Sequence, residues 1–189
     1  MILDLLRHGE TELGGGLRGS LDDALTAKGW AQMQAAVDTA GPWEGLVSSP
    51  LQRCAHFARR LGEQTGLAVQ LVPGLEELHF GEWEGRSAAE LMLTHEQQLG
   101  QFWSDPYAFT PPGGEAVIDF SRRVLQAIAE VHRQHVGKHL LVVTHGGVMR
   151  LLLARARGLP REQLLQVEVG HGALCRLEVL ADGNLREVC

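Results

Sequence analysis

Hydrophobic residues occur along this chain in two patterns, as short runs and as longer segments in which they recur every three or four positions. Two runs, at residues 2–6 and 139–144, are nearly continuous, which is typical of strands buried on both faces of a sheet. Weaker signals predict further strands or extended stretches at residues 45–48, 67–72, 164–169 and 173–180.

Helices are predicted between most of these strands. Val117, Phe120 and Val124 show the spacing of one buried helix face. Thr26 is suited to cap the start of a helix, and Pro50 is suited to a first helical turn. The predicted helices cover about residues 26–40, 50–66, 87–103, 115–135 and 148–157.

Strands that alternate with helices predict an α/β protein, a three-layer α/β/α sandwich with a mostly parallel central sheet. The two strands that end before His8 and His145 are expected side by side in the middle of that sheet. The chain has 189 residues and is expected to form one domain over residues 1–189, with a lid-like insertion at about residues 73–114.

The net charge of −6 argues against a nucleic-acid partner, because binding to a phosphate backbone needs a basic surface. An anionic small molecule remains compatible with this charge, since a few arginines in a pocket outweigh a mildly acidic exterior. The apolar runs are too short for a signal-peptide core or a membrane span. No membrane association is therefore expected.

Cysteine and histidine spacing predicts no metal site. Cys54, Cys175 and Cys189 contain no CxxC pair, which favours reduced thiols in a cytoplasmic protein. The nine histidines include no HExxH motif and no Cys/His cluster at zinc spacing. Neither a metal nor another cofactor is expected.

Two histidines follow predicted strands directly, and each precedes a glycine, as His8-Gly9 and His145-Gly146. Ligands of open α/β sheets bind at the carboxyl ends of the strands. A neutral imidazole there can attack phosphorus, provided that fixed positive charge balances the phosphoryl oxygens. The planar guanidinium of arginine is well suited to bind phosphoryl oxygens. Arg7 follows the first predicted strand, and Arg53 lies in the first turn of the helix predicted after residues 45–48.

Such a reaction also needs a carboxyl group that protonates the departing alkoxide. The loop at residues 73–85 carries the candidates, which are Glu76, Glu77, Glu82 and Glu84. The residues alone leave open which of the adjacent Glu76 and Glu77 points inward.

In these residues and their neighbours, the chain resembles the histidine phosphatase superfamily, in the branch that contains the cofactor-dependent phosphoglycerate mutases. The matching segments are residues 6–11, 25–29, 48–53, 77–85 and 143–148. The resemblance implies a phosphoglycerate mutase-like fold and a phosphohistidine intermediate. It implies the following roles: His8 as the nucleophile, Glu77 as the general acid, His145 with Arg7 and Arg53 in the phosphate pocket, Gly146 for close backbone approach, and Glu10 and Thr11 in support.

The chain departs from the family pattern where many relatives carry an asparagine that contacts phosphate, because Gly14 stands there. Arg18 or Ser20 is expected to substitute for it. Trp83 and His171 are expected to help select the substrate. The lid aromatics Phe102, Trp103, Tyr107 and Phe109 are expected to contribute, with packing inside the lid as the alternative for several of these side chains.

The resemblance implies a phosphatase with a small-molecule phosphate ester as its substrate. Mutases of the family are longer and shield the phosphoenzyme from water, whereas lidless members act on phosphoproteins. Residues 77–85, the length and the chain end look most like the alpha-ribazole phosphatases of cobalamin biosynthesis. The main alternative is a broad-specificity or sugar-phosphate phosphatase. A mutase, a phosphoprotein phosphatase and an inactive regulatory domain are alternatives that the sequence supports less. The sequence predicts no oligomeric state.

Overall fold

The computed structural model describes residues 1–188, and Cys189, one of the three predicted reduced thiols, lies outside them. The strands are β1 (Ile2–Arg7), β2 (Gly45–Ser48), β3 (Val69–Leu71), β4 (His139–Thr144), β5 (Leu174–Val179) and β6 (Leu185–Val188). The helices are α1 (Ala27–Val37), α2 (Gln52–Thr65), α3 (Ala88–Ser104), α4 (Val117–Gln134) and α5 (Gly146–Ala156). Short 3-10 helices cover Pro73–Leu75, Gly81–Trp83 and Arg161–Gln166.

The six strands form one sheet in the order β3-β2-β4-β1-β5-β6. The pairs β3-β2, β2-β4 and β4-β1 are parallel, and β5 and β6 extend the sheet antiparallel beyond β1. The last pair in the β1–β4 register is Arg7 with Thr144. This register places His8 and His145 next to each other at the carboxyl ends of the two central strands.

Apolar side chains cover both faces of the sheet, which confirms the predicted three-layer sandwich. Leu3 and Leu5 of β1 belong to a core that also contains residues of α4, α5 and the segment between residues 75 and 102. Leu6, which points to the opposite face, packs in a second core with residues of α1 and α2. The alternation of side chains along a strand produces these two cores.

The chain end differs from the prediction. Residues 164–169 were expected to be extended, but Arg161–Gln166 forms a 3-10 helix. The buried side chains of Leu164 and Val167 are three residues apart, and this spacing puts them on one side of a 3-10 turn. The sequence signals also missed β6, a short edge strand that pairs with β5.

Within residues 1–188, no helix combines the length and the apolar character needed to cross a membrane. Cys54 and Cys175 are free thiols. Thr26 caps α1 as expected, because its side chain accepts a hydrogen bond from the Gly29 amide at 2.9 Å.

Asp4 of β1 is a buried charge that ties three strands together. Its carboxylate accepts hydrogen bonds from Trp43 Nε1 at 2.8 Å, His139 Nε2 at 2.9 Å and Arg176 Nε at 2.7 Å. Burial opposes ionisation, but the hydrogen bonds from Arg176 and Trp43 and the charge of His139 outweigh it, so the pKa of Asp4 is lowered.

We expect the substitution Asp4→Asn to lower the free energy of unfolding by about 1–3 kcal/mol, because a neutral amide replaces a carboxylate that accepts hydrogen bonds from three side chains. Urea unfolding measures this change. Asp119→Asn is the matched control, since Asp119 is exposed and its carboxylate pairs, among residues 1–188, only with Arg122, and it should shift stability by less than about 0.5 kcal/mol. Equal unfolding free energies for Asp4→Asn and the wild type would contradict a stabilising role for this network.

Candidate active site

The candidate site lies where β1 and β4 end. The His8 amide donates to the Thr144 carbonyl at 2.9 Å, which continues the strand pairing by one residue. The imidazole rings of His8 and His145 meet edge to face, with 5.3 Å between their centroids. Both rings are buried, and His8 keeps 6% of its surface exposed. The structure thus brings together the two histidines that the sequence singled out.

His8 is held as a neutral imidazole with one free nitrogen. Its Nδ1 lies 2.8 Å from the Gly9 carbonyl, which can only accept a hydrogen bond, so Nδ1 carries the proton. Nε2 therefore keeps a lone pair. The pKa of His8 is lowered to about 3, mainly by burial and secondly by the positive charge of Arg53. The ring is consequently neutral at neutral pH, with its single proton on Nδ1, and Nε2 can act as a nucleophile.

Arg53, at the start of α2, is a fully buried cation. Its Nη1 donates to the Leu21 carbonyl at 2.6 Å and its Nη2 to the Gly19 carbonyl at 2.9 Å. Its Nε donates to His145 Nδ1 at 3.2 Å. The nearest carboxylate oxygen in a salt bridge, from Asp23, is 3.6 Å away. The guanidinium is thus fixed mainly by neutral acceptors and retains much of its positive charge for an anion.

His145 uses both ring nitrogens inside the protein. Nδ1 accepts from Arg53, so Nε2 carries the proton and donates to Ser49 Oγ at 2.8 Å. Burial and, next, the charge of Arg53 lower the pKa of His145 well below its usual value. The resemblance implies that His145 lines the phosphate pocket. In this structure both of its ring nitrogens are engaged, by the Arg53 Nε–H and the Ser49 hydroxyl, and His145 holds Arg53 in place.

Arg7 supplies the second guanidinium. Its Nη1 donates to the Val169 carbonyl at 2.6 Å, whereas its Nε is buried and has no hydrogen-bond partner among residues 1–188. Burial and the nearby charges of Arg150 and Arg53 lower the pKa of Arg7, and Glu77 opposes them. A Cβ on Gly146 would lie 3.1 Å from Arg7 Nε, so glycine gives this side chain room. A buried, unpartnered N–H beside other cations favours an anionic ligand.

Glu77, rather than Glu76, contacts the site. Its Oε2 accepts from the Gly147 amide at 2.8 Å, in the first turn of α5, and its Oε1 accepts from the Leu78 amide at 3.0 Å. A Cβ on Gly147 would lie 2.2 Å from Glu77 Oε1, so the carboxylate and a larger residue cannot share this space. Gly147 was not among the predicted site residues, although it stands in the His-Gly-Gly sequence at residues 145–147.

The loop that carries Gly14 is held by polar side chains of its own and of residues 77–86. Arg18 donates to the Gly14 carbonyl and pairs with Asp23 at 2.8 Å, and its side chain is only 10% exposed. The Ser20 hydroxyl donates to Glu84 at 3.0 Å. Both expected substitutes for the family asparagine are therefore engaged within the protein, and they shape the loop that fixes Arg53.

The aromatic residues divide into buried and exposed side chains. Trp83 is fully buried and stacks on Phe109 at 5.4 Å, so its ring packs inside the protein, which is the alternative given for these aromatic side chains. Phe102 packs edge to face on Trp83 at 5.9 Å, and Trp103 is 48% exposed. The ring of His171, by contrast, lies 5.7 Å from that of His8, at the edge of the site.

Several residues that complete the site were not predicted in the roles that the structure gives them. Ser49 orients His145, Asp23 and Glu84 support the loop around Arg53, and Cys54 Sγ lies 3.7 Å from His145 Nε2. Their roles depend on contacts between residues far apart in sequence. Within residues 1–188, no three His, Cys, Asp or Glu side chains are grouped closely enough to hold a metal ion.

Comparisons with known proteins give the chain a family. The sequence profile of the histidine phosphatase superfamily (branch 1) matches residues 3–187. The adenosylcobalamin/alpha-ribazole phosphatase of Escherichia coli (strain K12) is 33% identical over 183 residues, which cover 95% of this chain and 90% of that protein. The glucosyl-3-phosphoglycerate phosphatase of Mycobacterium tuberculosis (strain ATCC 25618 / H37Rv) is 32% identical over 176 residues, which cover 84% of this chain and 76% of that protein.

A solved structure agrees with these sequence matches over the whole fold. The crystal structure of the alpha-ribazole phosphatase from Shigella flexneri has a TM-score of 0.83 with this structure at 31% identity. The match covers 100% of this chain and 96% of that one. By its sequence profile, its relatives and its fold, the chain belongs to the histidine phosphatase superfamily, branch 1.

Proposed function

We propose that this histidine phosphatase hydrolyses a small-molecule phosphate monoester through a phosphohistidine on His8. The observation that carries the proposal is the placement of His8. Its neutral ring is buried against two guanidinium groups, of Arg7 and Arg53, with the carboxylate of Glu77 at the adjacent helix start. Nucleophile, fixed positive charge and carboxyl group are the parts that phosphoryl transfer to nitrogen requires.

In the first step, the lone pair of His8 Nε2 forms a bond to phosphorus. The P–O bond to the alcohol breaks, its electron pair stays on the departing oxygen, and the Glu77 carboxyl group donates the proton that this oxygen takes up. In the second step, water attacks the phosphohistidine and gives a proton back to Glu77. The P–N bond breaks, inorganic phosphate leaves and His8 is neutral again.

The arginines stabilise the charge that accumulates on the phosphoryl oxygens in both steps. Arg53 has two N–H groups and Arg7 four that no protein acceptor among the described residues uses. Because these groups are fixed before substrate arrives, they need little reorganisation during the reaction. His145 contributes through Arg53, whose Nε it holds, and Gly146 allows the approach of Arg7.

We further propose alpha-ribazole 5′-phosphate as the substrate, on the strength of the Escherichia coli relative and the Shigella flexneri structure. A cleft beside Glu77 supports an ester with an apolar aromatic part. The cleft is lined largely by apolar side chains, which include Leu78, Phe80, Phe102 and Phe120. A leaving group protonated by Glu77 would extend into this cleft.

A second candidate substrate is an ester with another anionic group. Arg150 lies beside Arg7, since a Cβ on Gly146 would be 3.2 Å from Arg150 Nη1. The Nε of Arg150 donates to the Val167 carbonyl at 3.0 Å, and no acceptor in the described part of the chain uses its terminal nitrogens. The similarity to a glucosyl-3-phosphoglycerate phosphatase supports this alternative, because a phosphoglycerate carries a carboxylate.

A phosphate-release screen with chelator present separates the two candidates. We expect a kcat/KM for alpha-ribazole 5′-phosphate at least about tenfold above those for glucosyl-3-phosphoglycerate, 3-phosphoglycerate, fructose bisphosphates and nucleoside monophosphates, or about 1.4 kcal/mol of selectivity. Preference for the phosphoglycerate esters would favour the second candidate. The absence of release from every ester would contradict a phosphatase function.

The substitution His8→Ala should lower kcat/KM by at least about a thousandfold, because it removes the nucleophile and leaves only binding and charge stabilisation. Rapid quenching of the wild type with a radiolabelled ester should trap a phosphoprotein that is labile in acid and stable in alkali. His56→Ala, an exposed position on α2, is the control and should retain wild-type activity. Unchanged turnover in His8→Ala would rule out the mechanism.

Folding stability should fall below pH 6.5, because the unfolded chain protonates His8 there and the folded protein, in which the pKa of His8 is about 3, does not. From pH 7 to pH 5, the wild type should lose about 2 kcal/mol more unfolding free energy than His8→Asn. Urea unfolding at both pH values measures the difference, with His56→Asn as the control. Parallel losses in wild type and His8→Asn would show that His8 is not held neutral.

A further inference from the structure

Arg123, in the first half of α4, makes a complete set of hydrogen bonds beneath the loop that carries Glu77. Its Nε donates to Glu115 Oε1 at 2.7 Å and its Nη2 to Glu115 Oε2 at 2.8 Å. Its Nη1 donates to the carbonyls of Gly74 at 3.1 Å and Glu76 at 2.8 Å, and its Nη2 to that of Glu77 at 2.9 Å. All five N–H groups of the guanidinium are therefore used.

These bonds fix the backbone of a short segment, residues 74–77. Arg123 binds three of the four consecutive carbonyls, and the fourth, of Leu75, accepts from Thr144 Oγ1 at 3.0 Å. Gly74 lies directly on α4, because a Cβ there would be 2.7 Å from the Cβ of Ala127. The segment is thus attached both to α4 and to the end of β4, immediately before His145.

The carboxylate of Glu77 lies at the other end of this arrangement. It is held by the amides of Gly147 and Leu78, while its own carbonyl is held by Arg123. The backbone N–H of Glu115, the partner of Arg123, also donates a hydrogen bond to the His79 carbonyl at 2.8 Å. The backbone on both sides of Glu77 is therefore anchored to one ion pair.

We infer that Arg123, clamped by Glu115, is a positioning residue that sets the location of the Glu77 carboxyl group for proton transfer to the leaving group. The inference rests on the proposed role of Glu77 as the general acid. Arg123 touches no reacting atom, since protein acceptors use all of its donors. Its effect on the rate must pass through Glu77, because a small displacement of a catalytic group is costly.

Leaving-group dependence separates positioning of the acid from a merely structural role. A 2,4-dinitrophenyl ester expels a stable phenolate without protonation, whereas a 4-nitrobenzyl ester expels an alkoxide that needs a proton. Arg123→Lys keeps the charge and loses the planar fork that reaches three carbonyls and a carboxylate. Glu115→Gln is a second variant, and Arg122→Lys is the matched control, because Arg122 is exposed and its side chain bonds only to Asp119 among the residues that the structure describes.

We expect Arg123→Lys to lower kcat/KM for 4-nitrobenzyl phosphate at least about tenfold more than for 2,4-dinitrophenyl phosphate, with Glu115→Gln changing the ratio in the same direction. Arg122→Lys should leave both values unchanged. Glu77→Gln should show the same selective loss, and adding Arg123→Lys to it should cause no further change in the ratio.

Two outcomes would overturn the inference in distinguishable ways. A selective loss in Glu77→Gln, with an equal loss on both esters in Arg123→Lys, would make Arg123 structural only. Equal losses on both esters in Glu77→Gln itself would remove the general acid from the proposed function and the inference with it. If circular dichroism shows that Arg123→Lys is unfolded, the ratio measured for Glu115→Gln decides between the same outcomes.

Discussion

The complete burial of the Arg53 guanidinium is the constraint on which the architecture of the site depends. Removal of a charge from water costs several kcal/mol even after a protein relaxes around it. Here the compensation comes from the carbonyls of Gly19 and Leu21 and from His145 Nδ1. Each of these acceptors must itself be held in place, so several neighbouring segments contribute to stabilising this one cation.

Two side chains outside the immediate pocket hold those acceptors. Glu84 accepts from the amides of Ser20 at 2.8 Å and Leu21 at 2.9 Å, which orients the loop whose carbonyls face Arg53. Ser49 binds the far nitrogen of His145. Within the Glu-Trp-Glu-Gly element at residues 82–85, Glu84 thus supports the site through this loop, whereas the Trp83 ring lies in the core.

Sequence patterns predicted the parts of this protein that local rules govern. A buried strand followed by a histidine and a glycine is visible in the chain at His8 and at His145, and parallel pairing of the two strands brings their ends together. The partners of the His145 ring were not predictable, because they come from residues about a hundred positions away. The choice between Glu76 and Glu77 depended on the Gly147 amide, which only the tertiary structure places.

The limits of the fold prediction have similar causes. The 3-10 helix Arg161–Gln166 has too few apolar residues for its period to be recognised, and β6 pairs at the sheet edge with only partly buried side chains. Trp83 illustrates the opposite case. An aromatic residue between two candidate carboxylates suggests a substrate contact in sequence, whereas in the structure its ring packs against Phe102 and Phe109.

The arginines near the site differ in how many of their N–H groups lack a protein acceptor, and this difference matches their proposed functions. Arg123 has none left, so it can bind only protein. Among residues 1–188, Arg53 and Arg7 have protein acceptors for only some of their five N–H groups, and the rest lie in a pocket of like charge. Unsatisfied donors in such a place are destabilising unless an anion completes them. At the strand ends, Arg7 and Arg53 therefore keep unused N–H groups that the oxygens of a phosphoryl group would bind. Arg123, by contrast, uses all of its N–H groups to fix the backbone of residues 74–77.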